Sequence, residues 1–306
     1  MRVLDRLRNT YEYGGIKEIA RKSFYKVVYK IHNNITYRQA LKAHVEFGLN
    51  KEERDTKIVI SLTTFPPRFK HIGIVIKSIL YQDVKPDKIV IYLDKDTTYA
   101  DLTEEMKLFE QYGVEYRFHN ETWLKAHSKY LFAMQDFPEA IVVTTDDDVI
   151  LPRNWLRTLL DSYEKYPKAV SARRVHLMTY DENGFNPYNH WKDQWRKEKK
   201  PSHLLFATGV GGVLYPPKCL DKEVFNQDRI KEVSLDNDDI WLKCWEVLSG
   251  TPVVWAANNE VDLADTEGSK ADALSASNVN ESRNDTIMKR VLENLNLSTN
   301  DFIYKD

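Results

Sequence analysis

The sequence predicts an α/β protein with a mostly parallel sheet flanked by helices. Three observations carry this. From Lys57, short β-branched runs alternate with amphipathic stretches of 10 to 12 residues, the pattern of a parallel sheet with helices on both faces. Polar and acidic residues follow the runs, where ligands sit in such sheets. The chain of 306 residues is also long enough for a substantial core.

In chain order, KIVISL (57–62) reads as a buried strand and HIGIVIKSILYQ (71–82) as a helix. KIVIYL (88–93) is the second strand, and LTEEMKLFEQYG (102–113) a helix closed by Gly113. VEYRFH (114–119) is the third strand, SKYLFAMQDF (128–137) the third helix and AIVVTT (140–145) the fourth strand. TTFPPR, DKDTT and DDDV follow the first, second and fourth strands. Beyond about residue 167 the alternation breaks into an aromatic, turn-rich segment, NGFNPYNHWKDQW, and a glycine-rich one, ATGVGGVLYPP. NDDIWLKCWEVL then reads as a helix with carboxylates at its favourable N-terminal end, and DTIMKRVLENL as a last helix. The expected layout is an N-terminal helical arm (1–50), an α/β half (51–150), a second half building another pocket (151–260) and a C-terminal helical tail (261–306).

Bulk composition narrows the function classes. A net charge of −2 argues against a whole-protein field that collects nucleic acid. The two cysteines, Cys219 and Cys244, form no CxxC pattern, which suits a reducing, cytoplasmic setting better than a disulfide framework or a zinc site. No apolar run approaches the roughly 20 residues that cross a bilayer, and residues 1–31 read as neither a signal peptide nor a span. That segment carries eight Lys/Arg against three Asp/Glu, with apolar residues at helical spacing. Two readings stand together: a basic amphipathic helix on the anionic inner face of a membrane, and a helix packed on the main domain.

The chemistry centres on Asp146-Asp147-Asp148, which ends the fourth strand. At an effective dielectric of 20, unit charges about 4 Å apart repel by roughly 4 kcal/mol, so positive charge must lie nearby. Strand alternation sends Asp146 and Asp148 one way and Asp147 the other. Two such carboxylates suit Mg²⁺ or Mn²⁺, hard ions that also take phosphate oxygens. The bland alternative is a solvated acidic turn.

The stretch EAIVVTTDDDVILPRNWLRTLLDSYEKYP resembles the metal-binding core of nucleotide-sugar-dependent glycosyltransferases with the GT-A fold. Within that group it is similar to bacterial enzymes that build capsule, lipopolysaccharide O-chain and related surface glycans, of inverting, family-two-like type. The likeness runs from about Lys57 to Leu248. It implies a nucleotide-sugar donor, probed first as a UDP-sugar, a glycan or lipid-linked glycan acceptor, and Mn²⁺ or Mg²⁺ as cofactor. It places donor contacts at Thr63, Thr64 and Arg68 after the first strand and Asp94 after the second. Lys129, at a helix start, would reach the diphosphate, while Asp146 and Asp147 on the carboxylate edge are further nucleotide-sugar contacts and Asp146 and Asp148 the metal ligands. Gly211 and Gly212 would lie beside donor sugar and acceptor.

NDDIWL resembles the Thr-Glu-Asp motif of inverting transferases related to cellulose and chitin synthases, with Asn237 for Thr, Asp238 for Glu and Asp239 on the base. Those departures leave the base open between Asp238 and Asp239. No Gln-x-x-Arg-Trp follows, which points to single addition rather than processive synthesis. No histidine follows His203, so His176 and His203 are the substitutes for a C-terminal metal histidine. Arg173, His176, Tyr188 and Trp191 are the expected acceptor wall. Two rival readings are a metal-dependent nucleotidyltransferase or phosphodiesterase, which lacks its phosphate loop here, and a non-catalytic glycan-binding protein on the same scaffold.

Overall fold

The computed structural model describes residues 24, 27–43, 47–93, 96–119, 124–256, 264–266 and 283–303. Asp94 and most of residues 1–31 lie outside them. The first helix, α1, occupies 27–42. The alternating region then gives β1 (Ile58–Thr64), α2 (Ile72–Leu80), β2 (Lys88–Leu93), α3 (Glu104–Leu108), β3 (Val114–Phe118), α4 (Ser128–Asp136) and β4 (Ile141–Thr144). These fall within two or three residues of the expected segments, except that the helix over 102–113 shortens. Thr103 caps α3 by accepting from the Met106 N–H, and a tighter turn carries Phe109–Tyr112 to Gly113. Gly113 sits at φ +99°, a left-handed stop that glycine adopts without strain.

The remaining elements are β5 (Val149–Ile150), α5 (Trp155–Lys165), β6 (Val170–Ala172), β7 (Val175–Leu177), β8 (Tyr180–Asp181), β9 (Gly184–Phe185), β10 (Leu205–Ala207), β11 (Val213–Tyr215), α6 (Gln227–Val233), α7 (Asp238–Leu248), β12 (Val253–Trp255), β13 (Ala264–Asp265), α8 (Arg283–Leu295) and α9 (Thr299–Ile303). Seven strands form one sheet in the order β12-β6-β11-β4-β1-β2-β3. β1 runs parallel to β2 and β4, and β2 to β3, while β11 lies antiparallel between β4 and β6. This is a mostly parallel, Rossmann-like α/β sheet. Strands from both sides of residue 150 share it, so the sheet is continuous across that point.

Period-two alternation splits the core. Ile58, Ile60 and Leu62 of β1 join α2, α3 and α5 on one face, while Val59 joins α4 and α7 on the other. On that second face the Ser61 hydroxyl donates to the Lys129 carbonyl, pinning the start of α4 over β1. The register Ser61↔Thr144 sets the ends of β1 and β4 side by side. The residues after each strand therefore meet, and the site is built from that meeting.

Candidate active site

A cavity of about 1140 Å³ opens at the carboxyl ends of β1 and β4, bounded across by the N-terminus of α7. The three aspartates follow strand alternation: Asp147 is 6% exposed, whereas Asp146 and Asp148 are half-buried and face the cavity. Asp147 accepts from the Thr64 hydroxyl at 2.7 Å and pairs with Arg68, which also lies 3.2 Å from Asp148 Oδ2. Arg68 comes from the Pro66–Arg68 turn directly after β1. Burial pushes the Asp147 carboxyl upward, and Arg68 offsets only part of that. Thr63 lines the cavity and donates to the Tyr92 carbonyl.

The positive charge that Asp146 requires comes from Lys129. Its Nζ lies 2.7 Å from Asp146 Oδ1 and 2.9 Å from Asp238 Oδ2, with the lysine side chain 5% exposed. The second contact is ionic but not aligned as a hydrogen bond, so Asp238 Oδ2 is buried without one. One ammonium thus ties the edge of the sheet to α7. Burial opposes its charge, but Asp146, Asp238 and Asp239 outweigh this and hold Lys129 well above the usual lysine range.

Asn237 caps α7 by accepting from the Ile240 N–H at 2.9 Å, a device worth about 1 kcal/mol, and fixes the two carboxylates on the first turn. They are not equivalent. Asp238 is buried, and although burial opposes its ionisation, Lys129 holds the carboxyl below its ordinary range. Asp239 is half-buried, faces the cavity and accepts from the Gly209 N–H at 3.0 Å. Burial first, and the Asp238 charge second, push the Asp239 carboxyl well above its ordinary range. Neighbouring carboxyls with pKa values driven apart are the arrangement from which acid–base roles are assigned.

The far wall is aromatic. Tyr188 and Trp191 lie 4.8 Å apart between ring centres, and His176 meets Tyr188 edge-on at 5.8 Å. Trp191 donates its Nε1–H to the Asn186 carbonyl. Burial and the nearby Arg174 charge push His176 down to about 3. Its Nδ1 accepts from the Gln194 N–H, so the 3.1 Å approach of Asp193 is to a neutral ring and is not an ion pair.

Of the expected site residues, the cavity gathers Thr63, Thr64, Arg68, Lys129, all three aspartates, Asp238, Asp239, His176, Tyr188 and Trp191. Three expectations move. Arg173 is buried away from the cavity, where its charge bears on His32 of α1, and Arg174 takes the place beside the site. The cause is tertiary: the Arg173 N–H and carbonyl are held by the Gly212 carbonyl and the Trp255 indole. Gly211 and Gly212 serve packing. A Cβ on Gly211 would lie 2.8 Å from that of Arg174, and Gly212, at φ +87°, has the Trp155 ring 2.5 Å from where its Cβ would be.

Gly209 is the glycine in the site, its absent Cβ 3.0 Å from Lys129 Nζ and 3.2 Å from Asp239 Oδ1. The sequence flagged the segment but held no signal to choose among its three glycines. Nor did it point to Asn284, which lines the cavity and accepts from Asn237, tying α8 to α7. His203 is buried and does not line the cavity.

Among the described residues, no three or more His, Cys, Asp or Glu form a ready metal cage. The donor set matches a different kind of site. Asp146, Asp147, Asp148, Asp238 and Asp239 converge on two cations, Arg68 and Lys129. The surplus is negative, and the two carboxylates facing the cavity are hard oxygen donors. Such a pair suits a divalent ion that completes its shell with ligand phosphates and water.

Residues 68–214 match the family model described as Glycosyl transferase family 2. No curated protein matches the chain in sequence. Among solved structures, the chain is similar to the mannosyltransferase PcManGT from Pyrobaculum calidifontis in complex with GDP-Man and Mn²⁺, at 14% identity over 83% of this chain and 69% of that one, TM-score 0.43. It is also similar to S. aureus TarS, at 13% identity over 69% of this chain, TM-score 0.46, and spans 37% of that protein. A shorter TarS, residues 1–349 with UDP-GlcNAc, aligns at 11% identity over 68% of this chain and 58% of that one, TM-score 0.43.

Proposed function

From the match of residues 68–214 to the Glycosyl transferase family 2 model, we propose inverting transfer of a sugar from a nucleotide-sugar donor, a UDP-sugar first, to a glycan or lipid-linked glycan hydroxyl in bacterial surface polysaccharide synthesis. One observation carries the catalytic assignment. Asp239 is open to the cavity, where burial and the Asp238 charge hold its carboxyl well above the ordinary range, while Asp238 beside it is buried and spent on Lys129. The base is therefore Asp239, and Asp238 is the residue that positions the ammonium.

The step is a direct displacement at the anomeric carbon. Asp239, once ionised, accepts the proton of the acceptor hydroxyl as its oxygen attacks, and the bond to the diphosphate oxygen breaks on the opposite face. Thr63, Thr64 and Arg68 border the nucleotide side of the cavity. Arg68 and Lys129 present positive charge to the diphosphate, and that charge counts most as the leaving group gains its own. Asp146 and Asp148 would hold a divalent ion, Mn²⁺ or Mg²⁺, which supplies further neutralisation of the departing diphosphate. Tyr188 and Trp191 offer ring faces to the apolar side of an acceptor sugar, and Arg174 offers donors to its hydroxyls.

Asp239→Asn tests this reading. Transfer should fall by at least about a hundredfold, the scale of general-base catalysis, while nucleotide-sugar binding followed by thermal shift is retained. Transfer comparable to wild type would remove Asp239 from the role. A nucleotidyl or phosphodiester product in place of a glycoside would remove the reading itself.

A further inference from the structure

α1 carries two apolar faces. One packs inward: Thr36 and Ala40 are buried, and Ala40 sits against Ile150, two residues beyond Asp148. The other points out. Val27 is 57% exposed, Ile31 56% and Ile35 51%. At about 100° per residue these three cluster within roughly 80° of one another, on the side of the helix opposite Thr36 and Ala40. A helix anchored by one stripe does not need a second, and three large side chains in water along successive turns mark a surface that is covered by something.

Charge identifies the cover. Lys30, Arg38 and Lys42 are exposed along the same helix, and from residue 19 to residue 45 the sequence has no Asp or Glu. Residues 1–42 hold ten Lys/Arg against three Asp/Glu, although the whole chain is net −2. Positive charge is concentrated in this arm, and the remainder of the chain is acidic. An apolar stripe with Lys30 at its side, running on into Arg38 and Lys42 at its C-terminal end and free of acid, is complementary to an interface that is apolar inside and anionic at its rim.

We propose that the outer face of α1 docks on an anionic lipid surface, with Val27, Ile31 and Ile35 entering the acyl boundary and Lys30, Arg38 and Lys42 meeting the headgroups. Because Ala40 rests on Ile150, docking brings the carboxylate edge of the cavity next to that surface. The proposal does not depend on the transfer chemistry and needs no substrate to test.

The experiment is co-sedimentation of the full chain with vesicles of equal parts phosphatidylglycerol and phosphatidylcholine, and with phosphatidylcholine alone. The chain should pellet with the mixed vesicles, not with the neutral ones, and binding should weaken as salt is raised. Ile31→Asp with Ile35→Asp should abolish binding. Lys30→Gln with Arg38→Gln should weaken it about 25-fold, from about fivefold per basic residue near such a surface. The thermal midpoint checks that both pairs stay folded, since all four side chains point outward. Equal binding to both vesicle types, or undiminished binding by the Ile31/Ile35 variant, overturns the proposal. So does concentration-dependent dimerisation that the same variant abolishes, since a second copy would then cover the face.

Discussion

Replacing Lys129 by methionine isolates what its ammonium does, and the structure sets the size of the effect. The side chain is nearly fully buried and is the ionic partner of both Asp146 and Asp238. Asp146 is open enough for water to take over. Asp238 is buried, and an uncompensated buried charge costs about 3–5 kcal/mol. Protonation sets a ceiling on that cost. A carboxyl with an ordinary pKa of 3.8 can be protonated for about 4 kcal/mol at pH 7 and about 2 kcal/mol at pH 5, at 1.36 kcal/mol per unit.

The sign follows from linkage. In the wild type the depressed Asp238 pKa stabilises the fold above the unfolded value, and this is lost only as pH falls through the lower folded value. In Lys129→Met burial outweighs the contacts that remain to Asp238, its pKa rises, and stability falls as pH increases from the unfolded value. Urea unfolding at both pH values should therefore show a loss of up to about 4 kcal/mol at pH 7 that shrinks to about 2 kcal/mol at pH 5. A loss of equal size at both would refute the electrostatic account and leave packing of the lysine stem as the cause.

Gly209→Ala places a methyl between Lys129 and Asp239 without a positive φ to strain, so kcat/KM should fall about 10- to 100-fold with the thermal midpoint held; unchanged kinetics would remove Gly209 from the site. The acid limb of kcat/KM should lie well above the ordinary carboxylate range, because the raised Asp239 carboxyl must lose its proton to act; a limb near 4 would point to another base. Chelation by EDTA should stop nucleoside diphosphate release, and Mn²⁺ or Mg²⁺ should restore it in the wild type but not in Asp146→Asn with Asp148→Asn; release indifferent to EDTA would mean that Arg68 and Lys129 suffice. Glu246, buried beside Lys243 and pushed up to about 7, should when changed to Leu cost about 3 kcal/mol in urea unfolding by removing the carboxylate 3.3 Å from a buried ammonium; a neutral outcome would show that the other contacts of Lys243 suffice.

Much of this molecule was legible in the sequence because its signals were local. Strand alternation placed Asp146 and Asp148 on one side and Asp147 on the other, and the side-chain exposures follow that order. The N-cap pattern of Asn237 before two acids located the start of α7 to the residue. What stayed hidden depended on contacts distant in sequence. Arg173 and Arg174 are indistinguishable as types; the Gly212 carbonyl and Trp255 indole decide which enters the cavity. Gly212 is constrained by Trp155, some 57 residues away, and Gly209 by Lys129 and Asp239. The lysine's second partner, Asp238, likewise follows from the placement of α7 and not from its neighbours in the chain.

The unequal fates of Asp238 and Asp239 also explain why three carboxylates can end a buried strand. Each of Asp146, Asp147 and Asp148 has found a cation, but Lys129 is shared with Asp238, so satisfying the strand edge draws on the same charge that the base helix needs. Among the described residues Asp239 then has no cation within ion-pair distance, and burial and the Asp238 charge hold its carboxyl well above the ordinary range. A cation delivered with the donor changes that balance: added positive charge beside Asp146 weakens its claim on Lys129 and lowers the cost of ionising Asp239. Asp239 would thus be ionised, and able to accept a proton, where donor is bound and held neutral where it is not, an order of events that disfavours proton abstraction before the donor is in place.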